Sequence, residues 1–243
     1  LGATDDITIE QMKALQFDLY SLHAELMLNM LDPVLPENAA TRALREWDRC
    51  YDRNSREATI FEQLYHALLE RTFGTGCFGE EAWGAIRDTT CILTDFYHLF
   101  DNVMLGDDPS WFGESGKKAL LASVASQVLE GLDPATAPTW GEHQELKLIN
   151  IFFGGALPAW TRFDYGPVEL QGNRSTVVQG GILQSYGRLT SFAPSWRMVT
   201  DLAESEAFTD LPGGPSGNRF SRYYLTDVRR WLEGGYKILR LGP

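Results

Sequence analysis

The segment from Trp196 to Leu241 constrains the fold most, because its hydrophobic period changes repeatedly over a short distance. Trp196-Arg197-Met198-Val199-Thr200-Asp201-Leu202 alternates. That is a strand with one set of side chains in a core and the other on a facing layer. A short second strand comes next, then the turn Leu211-Pro212-Gly213-Gly214-Pro215-Ser216-Gly217-Asn218. Gly213, Gly214 and Gly217 imply a backbone that takes positive φ or passes close to a neighbour. Val228 and Trp231 mark a short helix, and Lys237 to Leu241 a terminal strand.

The beginning of the chain has a different texture. Thr8-Ile9-Glu10-Gln11 is a capping box, and Met12, Leu15, Leu19, Leu22 and Leu26 recur at helical spacing. One helix is expected there, ended by Asp32-Pro33. Glu37 to Cys50 reads as a second helix with Leu44 and Trp47 inward. Ala58, Phe61, Tyr65, Leu68 and Leu69 give the apolar face of a third. Trp83 to Met104, with Phe96, Leu99, Phe100 and Val103 periodic, and Ser115 to Leu129 read as further helices. From Phe152 onward Pro and Gly become frequent. Val168-Glu169-Leu170, Gly172 to Val178 and Leu189 to Phe192 are strand-like. The division is therefore a mainly helical segment over 1–150 and a strand-rich segment over 151–243, an α+β chain.

Several residues invite a chemical reading that their context does not favour. Gly74-Thr75-Gly76-Cys77-Phe78-Gly79 spells G-x-G-x-x-G, but a helical pattern precedes it where a dinucleotide site needs a strand. It is expected to be a loop between helices. His23 lies on a helix face without a partner motif, and His98 sits in an apolar run as a core or edge side chain. Asp48, Asp52 and Glu57 fit a solvated face and helix capping. Gly214-Pro215-Ser216-Gly217 is one residue short of a nucleophile elbow, so the Ser216 hydroxyl is expected to bond the turn backbone. Asn173-Arg174-Ser175 is a glycosylation sequon that reads as accidental.

Composition narrows the function. The 243 residues carry 21 Lys and Arg against 33 Asp and Glu, a net charge of −12. That balance argues against nucleic-acid binding, which needs a basic face. Cys50, Cys77 and Cys91 allow at most one disulfide and read as three buried thiols, with no zinc pattern. No apolar run reaches the ~18 residues of a membrane span.

The tail resembles the C-terminal end of the penicillin acylase family, hydrolases with an N-terminal nucleophile. Arg197, Val199 and Asp201 fit its Arg-x-Val-x-Asp strand. Pro212, Gly213, Ser216, Gly217, Asn218, Ser221, Tyr224, Trp231 and Tyr236 fit the family's turn and closing segment, while Arg222-Tyr223 and Thr226-Asp227 depart from it. Leu15-Gln16, Asp18, Ser21 and Ala24 resemble the family's Leu-Gln-x-Asp-x-x-Ser-x-x-Ala helix. Trp47-Asp48, Asn54 to Phe61, Gly172 to Val178 and Trp140-Gly141-Glu142-His143 also match. His143 beside Glu142 is then a packing feature at the start of the β region.

The resemblance implies the C-terminal portion of an αββα core: a helical excursion, then antiparallel strands forming one layer of a two-sheet sandwich, with a C-terminal helix. It implies hydrolysis of linear amides, among them β-lactam side-chain amides and acyl-homoserine lactones. A Ser, Thr or Cys at the head of a chain attacks the carbonyl, with its own α-amine as base. Leu1 has no nucleophilic atom, and the family's nucleophile, oxyanion Asn and calcium ligands precede the Leu-Gln-x-Asp helix. No catalytic, substrate-binding or metal residue is therefore assigned here, and no cofactor is expected. The expected partner is the N-terminal part or α subunit of the same precursor, in a periplasmic or secreted setting. The alternative is a non-enzymatic α+β interaction module, a remnant of the family.

Overall fold

The structure is a computed structural model that describes residues 6–89, 93–150, 152–182, 189–240 and 242. Helices come first. They are α1 (Ile9–Leu15), α2 (Leu22–Leu31), α3 (Ala39–Glu46), α4 (Glu57–Leu69), α5 (Glu80–Thr89), α6 (Leu93–Leu105), α7 (Gly116–Leu129) and the single turn α8 (Trp140–His143). Strands β1 (Glu145–Leu148), β2 (Tyr165–Glu169), β3 (Gly181–Ile182), β4 (Leu189–Phe192), β5 (Arg197–Thr200) and β6 (Glu206–Asp210) come after them. Helix α9 (Val228–Leu232) and strand β7 (Lys237–Arg240) complete the order. This is mixed helix and sheet, an α+β arrangement.

Helix α4 is the centre of the helical part. Ala58, Ile60, Phe61, Leu64, Tyr65, Leu68 and Leu69 are all buried on it, and it touches α3, α7 and α8. Each of the larger apolar side chains contributes about 1.5–3 kcal/mol by leaving water. Helix α7 adds Leu121, Val124 and Leu129 to the same core.

The single first helix expected from the sequence is two. Its capping box at Thr8 and Gln11 forms, but α1 stops at Leu15. Asp18 Oδ1 accepts from the Tyr20 amide at 2.9 Å, and the Ser21 side chain caps α2 by accepting from the Ala24 amide. These local side-chain bonds compete with the helix ladder and win. The break rotates the apolar stripe: Leu22 and Leu26 are 65% and 53% exposed, while Ala24, Met27, Leu28 and Leu31 face the core. The second helix is shorter than expected, because Asn38 caps its start and the Arg49 guanidinium closes the Leu44 carbonyl at its end. The run Trp83 to Met104 belongs to two elements, α5 and α6, and Leu99 on the second is exposed.

Hydrogen bonding divides the described strands into two sheets rather than one layer. The first has the order β2-β1-β4-β3, and its β1–β4 pair is parallel, against the antiparallel expectation. A parallel neighbour needs a long crossover, which the residues between β1 and β4 supply. The second sheet, β5-β6-β7, is antiparallel throughout and centres on β6. Within β5 the inward set is Arg197 and Val199, and Trp196 and Met198 are exposed. Arg197 stacks on Phe17 at 4.4 Å and donates to the Trp231 carbonyl at 2.6 Å, satisfying the C-terminal end of α9. The expected short helix carrying Val228 and Trp231 is α9, and both side chains are buried. The segment Gly172 to Val178 is not a strand but an irregular loop.

Cys77 is exposed and Cys50 half-buried, both free, so Cys77 departs from the buried-thiol expectation; Cys91 lies outside the described residues. Among the described residues no helix is long and apolar enough to cross a membrane.

Candidate functional site

The residues with chemical potential in the sequence are scattered and locally engaged. The Ser216 Oγ accepts from the Asn218 amide at 3.2 Å, holding the turn. Of the turn glycines only Gly214 shows a structural need, since a Cβ there would lie 2.0 Å from the Tyr223 carbonyl oxygen. None of Gly213, Gly214 and Gly217 takes positive φ. Asp48, Asp52 and Glu57 accept from the Cys50 amide, the Asn54 amide and the Ser55 hydroxyl. His98 is exposed. The stretch Gly74 to Phe78 is not a loop: it continues α4 as a widened helix, and Gly79 caps it through a Gly79 amide to Gly74 carbonyl bond of 2.9 Å. A helix thus leads into these glycines, and the dinucleotide geometry is missing.

Glu142 completes a second capping box with Thr139, which lowers its carboxyl through the Thr139 amide. His143 stacks on Trp140 with ring centroids 5.4 Å apart. Trp140 is buried, and its Nε1 donates to the Gly172 carbonyl at 2.8 Å. The Trp-Gly-Glu-His run is therefore a packing feature leading directly into β1.

A concentration of buried charge around α4 carries no motif in the sequence. Glu62 on α4 is 2% exposed. Its carboxylate accepts from Tyr51 Oη at 2.7 Å, Asn173 Nδ2 at 3.1 Å and Arg174 Nη1 at 3.1 Å, and His66 Nε2 lies 3.4 Å away. The Arg174 guanidinium is stacked between Tyr65 and Tyr97, 4.5 and 4.1 Å from their ring centres. Tyr65 in turn donates to Asp101 Oδ1 at 2.5 Å, and His23 Nε2 lies 3.0 Å from the same oxygen. His23 is thus a structural histidine, packed edge-on against Tyr65 and Phe61. A signal was present: Glu62 shares a helical face with Ala58, Tyr65 and Leu69, and a carboxylate on an apolar stripe needs a buried partner. Nothing local marks Arg174 as that partner.

The loop carrying Arg174 is fastened at Gly172 and, at its far end, by the Val178 amide, which donates to the Asp18 carbonyl at 3.3 Å. The Gly172 amide donates to the Tyr51 carbonyl at 2.8 Å, and its carbonyl also accepts from Gln144 Nε2 at 2.7 Å. Gly172 has φ 78°, which favours glycine there. Asn173 is 2% exposed, so the sequon is inaccessible in the folded chain.

Electrostatics fix the protonation of Glu62 and its phenol partners. Burial pushes the Glu62 carboxyl up, but Arg174, His66 and Tyr51 outweigh it and hold it well below the usual range. Burial and Glu62 push the Tyr51 phenol up, and burial raises Tyr65. Glu62 therefore stays ionised and the Tyr51 and Tyr65 phenols stay protonated near neutrality. The cluster clasps α4, α6 and the 172–178 loop together. Among the described residues no three His, Cys, Asp or Glu side chains converge to hold a metal.

A stretch of 79 residues, 32% of the chain, is 33% identical to an acyl-homoserine lactone acylase, QuiP, of Pseudomonas fluorescens (strain Pf0-1). The same stretch covers 10% of that relative, which is therefore roughly three times as long as this chain, since 32% here equals 10% there. The family model described as penicillin amidase matches residues 1–243. The chain belongs to the penicillin amidase family.

Proposed function

We propose that these residues are the C-terminal portion of a precursor or β subunit of an amidohydrolase that cleaves linear amides into a carboxylic acid and an amine. Both the helical and strand-rich segments then belong to one larger catalytic domain with facing sheets, and the enzyme works in the periplasm or outside the cell. The family match along the whole chain carries the reading. The engaged state of Ser216, Glu142 and His143 supports a purely architectural role for this portion. The nucleophile, a chain-terminal Ser, Thr or Cys with its own α-amine as base, lies in the remainder of the enzyme.

The test is hydrolysis of a phenylacetyl or acyl anilide by the isolated chain and by the complete enzyme. The complete enzyme is expected to release the amine and the isolated chain none, and Ser216→Ala in the complete enzyme leaves kcat unchanged. Turnover by the isolated chain that Ser216→Ala abolishes overturns the reading. An inactive complete protein that still binds a partner favours the non-enzymatic module.

A further inference from the structure

Helix α1 packs against β5, at one edge of the second sheet. In the antiparallel register Val199 of β5, Phe208 of β6 and Ile238 of β7 stand side by side, so they share one face. Beside α1 there is a cleft of about 490 Å³, within the ~300–1,000 Å³ of small-molecule sites. Phe17, Phe208, Tyr236 and Ile238 give it apolar walls, and Glu10 and Lys13 are its charged lining.

The walls are fixed before any ligand arrives. Tyr236 Oη donates to Gln16 Oε1 at 2.6 Å, and Gln16 Nε2 donates to the Met198 carbonyl at 3.0 Å. Phe17 meets Tyr236 edge to face with ring centroids 6.3 Å apart, and the Arg197 guanidinium lies 4.4 Å from the Phe17 ring centre. Gly234, also at the cleft, has φ 80°, and a Cβ there would lie 3.1 Å from the Phe17 ring. A wall of this kind adds little ordering cost to binding.

Lys13 is the polar anchor. Its Nζ lies 3.6 Å from the Phe208 ring centre and 5.8 Å from that of Tyr236. The side chain is only 17% exposed, although α1 has no fully buried residue. An ammonium has three N–H donors. Among the described residues Lys13 Nζ donates to Glu10 Oε1, at 2.7 Å, and the Glu10 side chain is itself 79% exposed.

We propose that this cleft binds an amphipathic carboxylate. The headgroup accepts from the Lys13 ammonium above Phe208, and the apolar tail lies along Tyr236 and Ile238. A cationic ligand fits badly, because Lys13 already holds the ring face that a cation would take. A neutral apolar ligand leaves the ammonium donors unused. Glu10 is a weak competitor for them, since an ion pair in water contributes little.

The test irradiates the full gene product with octanoate carrying a diazirine near its tail and maps the labelled peptides by mass spectrometry. Label is expected on residues 10–17 and 234–238. Excess octanoate is expected to suppress it, and octanamide and octylammonium are not. Lys13→Met keeps the stem and removes the charge, and its label is expected to fall about tenfold, the worth of one charge-assisted hydrogen bond. Glu10→Gln releases the ammonium from its exposed partner and is expected to raise the label about twofold. Circular dichroism of both variants is expected to match the parent, and if Lys13→Met fails to fold, Glu10→Gln decides. Label confined to other peptides, undiminished label in folded Lys13→Met, or no gain in Glu10→Gln overturns the proposal. So does equal competition by octanamide, which marks adsorption to the apolar walls alone, or by octylammonium, which marks a cation site. Labelling needs no amide hydrolysis, so an inactive gene product leaves this test intact.

Discussion

The Arg174 guanidinium rests on the Glu62 carboxylate at 3.1 Å although 112 residues separate them in the chain. The pair joins helix α4 to a loop of the strand-rich part. Removing one partner strands a charge in the interior. Glu62→Gln is expected to lower unfolding stability by about 3–5 kcal/mol, read from the urea midpoint. The double variant Glu62→Leu with Arg174→Met is expected to lose less than the sum of its parts. Strict additivity contradicts the clasp.

Acid weakens the same joint. Burial raises the Asp101 carboxyl, but His23 and Tyr65 outweigh it and hold it low, as Arg174 does for Glu62. Carboxylates with a depressed folded pKa stabilise above the unfolded value, about 4 to 4.5, and that contribution is lost as pH falls through the folded pKa. The melting temperature is therefore expected to hold steady from neutrality to about pH 5.5 and to drop below it. Glu62→Gln is expected to flatten the drop, and an unchanged pH profile in that variant argues against this origin.

The turn glycines separate by the same logic. A methyl at Gly214 meets the Tyr223 carbonyl oxygen at 2.0 Å, while at Gly217 it meets nothing within 4 Å. Gly214→Ala is expected to cost about 1–3 kcal/mol through overpacking, and Gly217→Ala to stay within about 0.5 kcal/mol. Chemical denaturation of the two variants side by side decides it.

Thr139 tests the capping box before β1. Its side chain accepts from the Glu142 amide, and Glu142 returns the bond. Thr139→Ala is expected to cost about 1 kcal/mol, and Thr139→Ser to recover most of it. Equal loss in both variants points to the methyl group's packing instead.

Signals confined to a few neighbours were legible in advance. The capping box at Thr8, the buried face of α4 and the order of strand, turn, helix and strand after Trp196 all formed as read. Local competition escaped the reading, because Asp18 and Ser21 break a stripe that Leu19 and Leu22 otherwise continue. Long-range pairing escaped it altogether. Nothing in Glu145 or Leu189 announces a parallel pair, and nothing near Arg174 announces Glu62. The family match does not depend on these pairings, since it runs along residues 1–243.

The two interiors are unequal in size: 28 buried side chains gather around α4 among the described residues, against 3 around Trp231. Deuterium will therefore enter the molecule at two speeds. Amides of α4 and α7 open only when the whole helical body unravels, whereas those of β5, β6 and β7 open in smaller excursions. The strand-rich part is thus the softer unit, able to adjust its backbone while the helices beside it keep their shape.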